Sequence, residues 1–315
     1  MSGSERQPGR ALVFGASGYV GRHLVPRLLA EGVLVRAAAR RLEAMEAEGW
    51  ADAERVWADA LDPASLSAAM QGCEVAYYLV HSMAAGHGFA DLDVKAAANF
   101  AEAAAAAGLN RIVYLGGLVP EGAESPHLVS RRATGEVLRA GPVPVVELRA
   151  GIIVGPGSAA FEVMRDLVAH LPVMVTPPWI RSASPPIALD NLMTYLLALS
   201  AREGVEGRVF DAGGPETLSY EEMMRRMAPL LGRPKPVLIP VPVLTPELSA
   251  YWLQFVTATP PNVARALIMG LRHDIPADDA PLRALLPIEL MDFETSVRQV
   301  LEDEKRLTVG ERWRE

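Results

Sequence analysis

Ala11-Leu12-Val13-Phe14-Gly15-Ala16-Ser17-Gly18-Tyr19-Val20-Gly21 reads as a buried strand that runs into a glycine turn and then a helix. Four apolar residues in a row suit a strand covered on both faces, as strands of parallel sheets are. Gly15, Gly18 and Gly21 follow as G-x-x-G-x-x-G. Without Cβ atoms they permit a tight turn, close approach of a pyrophosphate to backbone N–H groups, and close packing of helix on sheet. The helix expected from about Tyr19 to Ala30 would aim its first amides and the positive end of its dipole at that phosphate. A glycine triplet alone is weak evidence; between a strand and an amphipathic helix it is strong. Pro26 lies inside this helix, where it removes a hydrogen bond and is expected to kink it.

The rest of the chain extends the same pattern. Strands are expected at Val33–Ala39, Arg55–Ala58, Val75–Val80, Arg111–Leu115 and Val145–Ile152, separated by helical segments. Asp62 before Pro63 marks a helix start, and Gly108 ends the alanine-rich helix Asp91–Ala107. Strands alternating with helices imply right-handed βαβ units and an α/β fold, a doubly wound parallel Rossmann sheet. Past Ile153 proline becomes frequent; a helix over about Ser158–His170, a short strand at Val173–Val175 and a last strand at Val209–Asp211 are expected. The division is therefore residues 10–155 as the nucleotide-binding domain, completed by a strand near 208–212, and 156–315 mostly as a smaller C-terminal substrate lobe.

The 315 residues, half of them hydrophobic, supply a large core. A net charge of −8 with no basic block argues against nucleic-acid binding through phosphates. The single cysteine, Cys73, excludes an intrachain disulfide and fits a reducing compartment. Met1–Gly9 lacks the apolar core of a signal peptide. No apolar run reaches the roughly 18–20 residues that span a bilayer, since Pro240, Pro242 and Pro246 interrupt the most apolar stretch, Pro236–Val256. The expected location is cytoplasmic.

Two positions bear on which nucleotide would be taken. An NAD site usually carries an acid at the end of the second strand, about 20 residues past the glycines, to bond the ribose 2′-hydroxyl. Here Ala37-Ala38-Ala39 leads to Arg40 and Arg41, and no carboxylate appears before Glu43. Guanidinium forks suit a 2′-phosphate, which favours NADP(H) over NAD(H). Asp59 closes the third strand, where an acid either accepts from the adenine amino group or caps its own loop.

The glycine spacing, Asp59, Tyr114-Leu115-Gly116-Gly117, Arg149-Ala150-Gly151-Ile152-Ile153-Val154-Gly155-Pro156-Gly157 and Gly213-Gly214-Pro215-Glu216-Thr217-Leu218-Ser219-Tyr220 together resemble the short-chain dehydrogenase/reductase superfamily. The likeness is to its atypical and extended branches, including the NmrA-like proteins and the NAD(P)-binding subunit of respiratory complex I. It covers roughly Ala11–Leu231. The resemblance implies that Gly15, Ser17, Gly18, Tyr19 and Val20 cradle the pyrophosphate, with Gly21 completing the triplet. It further implies Asp59 and Ala60 beside adenine, and Leu79, Val80 and His81 bordering the nicotinamide ribose.

The chain departs from that superfamily where the chemistry lies. Active members carry a Ser or Thr after the fifth strand and a Tyr-x-x-x-Lys motif on the next helix. Here Gly116-Gly117 follows the strand; aligning Arg132-Ala133-Thr134-Gly135-Glu136 with the family's Lys-x-x-Gly-Glu puts Arg132 for the lysine and Leu128 for the tyrosine. No tyrosine stands between Tyr114 and Tyr195. His81 and His127 are the candidate acid/base groups, because histidine titrates near neutral pH; Arg132 is a candidate for the nicotinamide ribose. No metal site is expected. Met83, Phe89, Phe161, Met164, Pro178 and Trp179 are candidate walls of an apolar substrate slot, with Val237–Val256 as its roof.

Hydride transfer needs no protein nucleophile, because the nicotinamide carries that chemistry. The leading expectation is an NADP-dependent oxidoreductase of the atypical short-chain type, acting on a small apolar or quinone-like carbonyl compound. The second is a non-catalytic NADP(H)-binding redox sensor or assembly protein of NmrA-like type. A nucleotide-sugar epimerase or dehydratase ranks lower, since those reactions use the missing tyrosine. Nothing in the sequence sets the oligomeric state.

Overall fold

A computed structural model describes residues 7–46, 48–81, 89–120, 125–241 and 274–312. The chain opens with β1 (Arg10–Phe14), α1 (Tyr19–Ala30), β2 (Leu34–Ala39), the single turn α2 (Glu43–Glu46) and β3 (Glu54–Trp57). It then crosses to α3 (Pro63–Met70), β4 (Val75–Tyr78), α4 (Phe89–Ala106), β5 (Arg111–Gly117), α5 (Pro126–Ala140) and β6 (Val145–Ala150). Short elements follow: β7 (Ile153–Val154), α6 (Ala159–His170), β8 (Val173–Thr176), β9 (Ala183–Ser184) and β10 (Ile187–Ala188). α7 (Leu189–Ala201), β11 (Val209–Ala212), β12 (Leu218–Ser219), α8 (Tyr220–Leu230), β13 (Val237–Pro240), α9 (Ala280–Leu285) and α10 (Phe293–Arg312) complete the described chain.

Seven strands form one sheet in the order β11-β6-β5-β4-β1-β2-β3, and every pairing in it is parallel. This is the doubly wound Rossmann order with one added strand. The chain builds outward from β1 to β3, then returns to the other side of β1 with β4, so the switch point lies between β1 and β4. Each strand feeds two cores by alternation. Ala11, Val13, Val75, Tyr77, Val113 and Leu115 face one side, with α1 and α7. Leu12, Phe14, Ala76, Tyr78, Ile112 and Tyr114 face the other, with α3 and α4. A third cluster, built from α6, α8 and α10 around Phe161, Met223 and Val297, forms the core of the C-terminal elements.

Three local expectations resolve in detail. Asp62 caps α3, accepting from the amides of Ala64 and Ser65. Gly108 follows α4 in the left-handed region at φ 71°, which glycine adopts without steric cost. α1 continues through Pro26 as a single element; Pro26 is exposed, so the carbonyl deprived of its partner, that of Arg22, lies on the solvent side. Arg27, one residue on, pairs with Asp190 of α7, which also accepts from Gln299 of α10. α1, α7 and α10 are thereby tied together.

Glycines at the β5 and α5 positions serve a buried carboxylate. Glu147 of β6 is 1% exposed and is held by Arg149 Nε at 2.7 Å and by Arg139 of α5. A Cβ on Gly116 would come within 2.9 Å of its Oε1, and one on Gly135 within 2.7 Å of its Oε2. A methyl group at 135 must displace a paired, desolvated charge. Gly135→Ala is therefore expected to destabilise the fold by about 1–3 kcal/mol, read as a lowered midpoint in denaturant unfolding; an unchanged midpoint would contradict this packing.

Candidate active site

The glycine turn sits where β1 leaves the sheet. Gly15 has φ 95°, and its amide and that of Ala16 both donate to Ala38 O at the end of β2, at 3.0 and 3.1 Å. Gly18 N then donates to Gly15 O (2.9 Å), and the first bond of α1 runs from Arg22 N to Gly18 O. The amides of Tyr19, Val20 and Gly21 donate to no backbone carbonyl among the described residues. They form the open donor set of a helix N-terminus. Gly21 lies so close to the turn that a Cβ there would meet Gly15 O at 2.5 Å and Ala16 Cα at 2.6 Å. A Cβ on Gly15 would likewise press on Val80 Cγ1 (3.0 Å) and the Leu79 carbonyl. Helix, turn and the end of β4 thus meet with no side chain between them, and the cradle fits a dinucleotide pyrophosphate.

Around this cradle the expected residues take distinct positions. Arg40 and Arg41 are exposed just past the end of β2. Asp59 Oδ1 accepts from Leu61 N at 2.9 Å, so the carboxylate caps its own loop with one oxygen and keeps the other. Ala60 O is held by Asn99 Nδ2 of α4 (2.9 Å). The Tyr19 ring turns away from the sheet toward the β7–α6 turn, where Gly155 and Gly157 leave room for it; burial pushes its phenol above the ordinary value. Phe161 and Met164 are buried in the core of the C-terminal elements, not on a slot. Met83, the side chains of Phe89, Pro178 and Trp179, and the segment from Pro242 to Val256 lie outside the described residues. Among the described residues, no group of three or more His, Cys, Asp and Glu side chains is placed to hold a metal.

The two candidate histidines meet. His81, just beyond β4, and His127, in the first turn of α5, lie 2.7 Å apart from Nε2 to Nδ1. The other nitrogen of His81, Nδ1, is 2.7 Å from Asp93 Oδ2. Ser130 Oγ donates to the same carboxylate oxygen at 2.7 Å. Asp93 is 3% exposed and Ser130 1%. Three elements, β4, α4 and α5, thus converge on a line of carboxylate, imidazole and imidazole. Sequence reasoning missed Asp93 and Ser130. A signal existed: Asp93 is a charged residue on the α4 stripe that continues through the buried Ala96, Ala97, Phe100 and Ala104.

Helix phase also separates the two neighbouring arginines of α5. Arg132 is exposed. Arg131, four residues after His127 and so on the same face, donates through Nη2 to Leu115 O at the end of β5. A Cβ on Gly117 would lie 3.3 Å from its Nε. The guanidinium therefore lies at the end of β5, beside Gly117. His127-x-x-x-Arg131 therefore faces the strand ends, one position earlier than the alignment of Arg132 with the lysine.

These features define the class: a Rossmann protein with an open phosphate cradle at the switch point. Residues 15–141 match the model of the NAD(P)H-binding family. A (4-alkanoyl-5-oxo-2,5-dihydrofuran-3-yl)methyl phosphate reductase of Streptomyces griseus is 29% identical over 231 residues, 71% of this chain and 74% of its own. Triphenylmethane reductase of Citrobacter sp., solved with NADP(H), is 21% identical with a TM-score of 0.73, covering 92% of this chain and 99% of that one. An NADPH-dependent quinone oxidoreductase of Escherichia coli, solved with NADPH, is 19% identical with a TM-score of 0.73, covering 93% and 99%. Among the described residues no helix is long and apolar enough to cross a membrane.

Burial holds both imidazoles below the ordinary value of 6.5, His127 to about 3, with the Arg131 charge adding to the effect and Asp93 opposing it. A ring that is neutral when folded and titrates normally when unfolded binds fewer protons in the folded state. Stability then falls as pH drops below the unfolded value. Tm is expected to decline from about pH 7 to about pH 5, and less steeply in His127→Gln; parallel slopes in calorimetry would contradict the buried neutral pair.

Proposed function

We propose that the protein is an NADPH-dependent reductase that passes a hydride to a small, largely apolar acceptor whose carbonyl is conjugated or quinone-like. The observation that carries this reading is the open first turn of α1 at the β1/β4 switch point, with three amides untaken and no room for a side chain. In it the open amides of Tyr19, Val20 and Gly21, beside Gly15, Ser17 and Gly18, hold the pyrophosphate. Asp59 and Ala60 flank adenine, and Leu79, Val80 and His81 border the nicotinamide ribose. Arg131 stands nearer that end than Arg132. Arg40 and Arg41, exposed beside the end of β2, read the 2′-phosphate through charge-assisted bonds.

The substrate class follows from what the likeness supports. The names of the three relatives specify a lactone whose carbonyl is conjugated to a ring double bond, a triphenylmethane compound and a quinone. Each is an extended π-system able to take a hydride. Gly116, Gly117 and Leu128 supply no hydroxyl in the usual places, which favours as second reading an NADP(H) sensor without turnover.

Two measurements separate these outcomes. NADPH is expected to bind more tightly than NADH, by about tenfold or more given a charge-assisted phosphate contact, and Arg40→Ala with Arg41→Ala should remove that difference; an unchanged ratio would remove the assignment of the two arginines. NADPH oxidation is expected with at least one member of a panel of quinones and conjugated enones. Silence across the panel, with NADPH still bound, would leave the sensor reading standing.

A further inference from the structure

The line from Asp93 through His81 to His127 is a buried polar construction held by hydrogen bonds along its length. Desolvation of a carboxylate and two imidazoles is expensive, and the same space could hold apolar side chains. Instead Ser130 and His81 both bond one oxygen of Asp93, at 2.7 Å each. Every link is within hydrogen-bond distance, and the line runs from the buried α4 carboxylate toward His127, whose Nδ1 is taken by His81. No described residue takes His127 Nε2 as a hydrogen-bond partner. His127 lies in the first turn of α5, on the face that carries Arg131 to the end of β5.

We propose that His127 donates the proton that completes substrate reduction, through Nε2, and that His81 and Asp93 are positioning residues that load it. The proposal rests on the reductase reading above. The bound dinucleotide supplies the hydride. As the new C–H bond forms, the carbonyl π-pair moves onto the substrate oxygen. That oxygen takes the proton from His127 Nε2, and His127 Nδ1 in turn takes the proton from His81 Nε2. Both rings are then neutral, as in the resting protein, and Asp93 remains the carboxylate bonded to His81 Nδ1–H; before the next turnover one solvent proton adds at His127 Nε2 as the Nδ1 proton passes to His81 Nε2, so that the loaded pair carries one positive charge, held on His81 against Asp93. Among the described residues, the charges facing the pair are Asp93 from α4 and Arg131 from α5; the phenols of Tyr78 and Tyr114 lie on the neighbouring strands and stay neutral through burial. A substrate left with no carbonyl oxygen to protonate would not need the relay.

The full-length protein tests this with two variants and one measurement independent of turnover. By proton NMR at low temperature, the unsubstituted chain is expected to show an exchange-protected imidazole N–H far downfield, from the His81–Asp93 bond, which Asp93→Asn removes and His127→Gln shifts. With a carbonyl acceptor reduced by the unsubstituted enzyme, His127→Gln is expected to lose about 10²–10⁴ in kcat, the usual worth of a general acid. KM and NADPH affinity should change by less than about threefold. Asp93→Asn is expected to shift the pH at which kcat falls, while leaving NADPH affinity intact. If the parent enzyme reduces the acceptor and His127→Gln does so equally well, the relay alone is overturned. If the parent reduces nothing, the reductase reading falls with it. Should His127→Gln fail to fold, the parent decides: no downfield proton, and no slowing of turnover in deuterated water, would overturn the relay.

Discussion

Between the turn that leaves β1 and the first turn of α1 there is no space for a side chain. A Cβ at Gly21 would sit 2.5 Å from the Gly15 carbonyl oxygen, closer than any non-bonded carbon tolerates. That contact fixes the height of α1 above the sheet. Its first amides are consequently held over the gap between β1 and β4, where the strand order reverses. A helix one methyl group further away would still cover the core with Leu24, Val25 and Leu28, but its amides would no longer converge on one point. The convergence of these amides therefore depends on a steric fit that contributes little to the burial of apolar surface.

The other end of the cleft is organised by charge instead. Glycines at 116, 117 and 135 make room for Glu147 and Arg131, and Arg139 and Arg149 flank the buried Glu147 carboxylate. Such buried ion pairs are weak evidence for stability, since desolvation offsets much of the attraction. Their effect here is positional: α5 is keyed to β5 and β6 by Arg131 and Arg139. This keying sets the rotation of α5, and the rotation decides that His127 and Arg131 face the strand ends while Arg132 faces water.

The fold was largely legible because its signals are local. A four-residue apolar strand, a glycine triplet and alternating strands and helices specify a doubly wound parallel sheet without reference to distant residues; the order of its strands rests on pairings between distant segments. The glycine turn and the start of α1 were legible for the same reason. The Asp93–His81–His127 line was only partly so: both histidines stood out as titratable groups near strand and helix ends, whereas their pairing depends on the packing of α4 against α5 and on the rotation of α5. Helix phase puts Arg131 rather than Arg132 at the end of β5, a difference that alignment by motif does not register. Asp93 was overlooked because an acid on an alanine-rich helix reads as a solvated face until the stripe it shares with Phe100 is traced.

The claim on which the account stands is that a nicotinamide dinucleotide lies against the open amides of α1. Amide hydrogen exchange with and without saturating NADPH reports on those groups directly. The account predicts slowed exchange at Tyr19, Val20 and Gly21, extending to Leu79 and Val80, with little change in α10. Exchange at Tyr19–Gly21 that is unaltered by NADPH, or protection confined to another region, would contradict it.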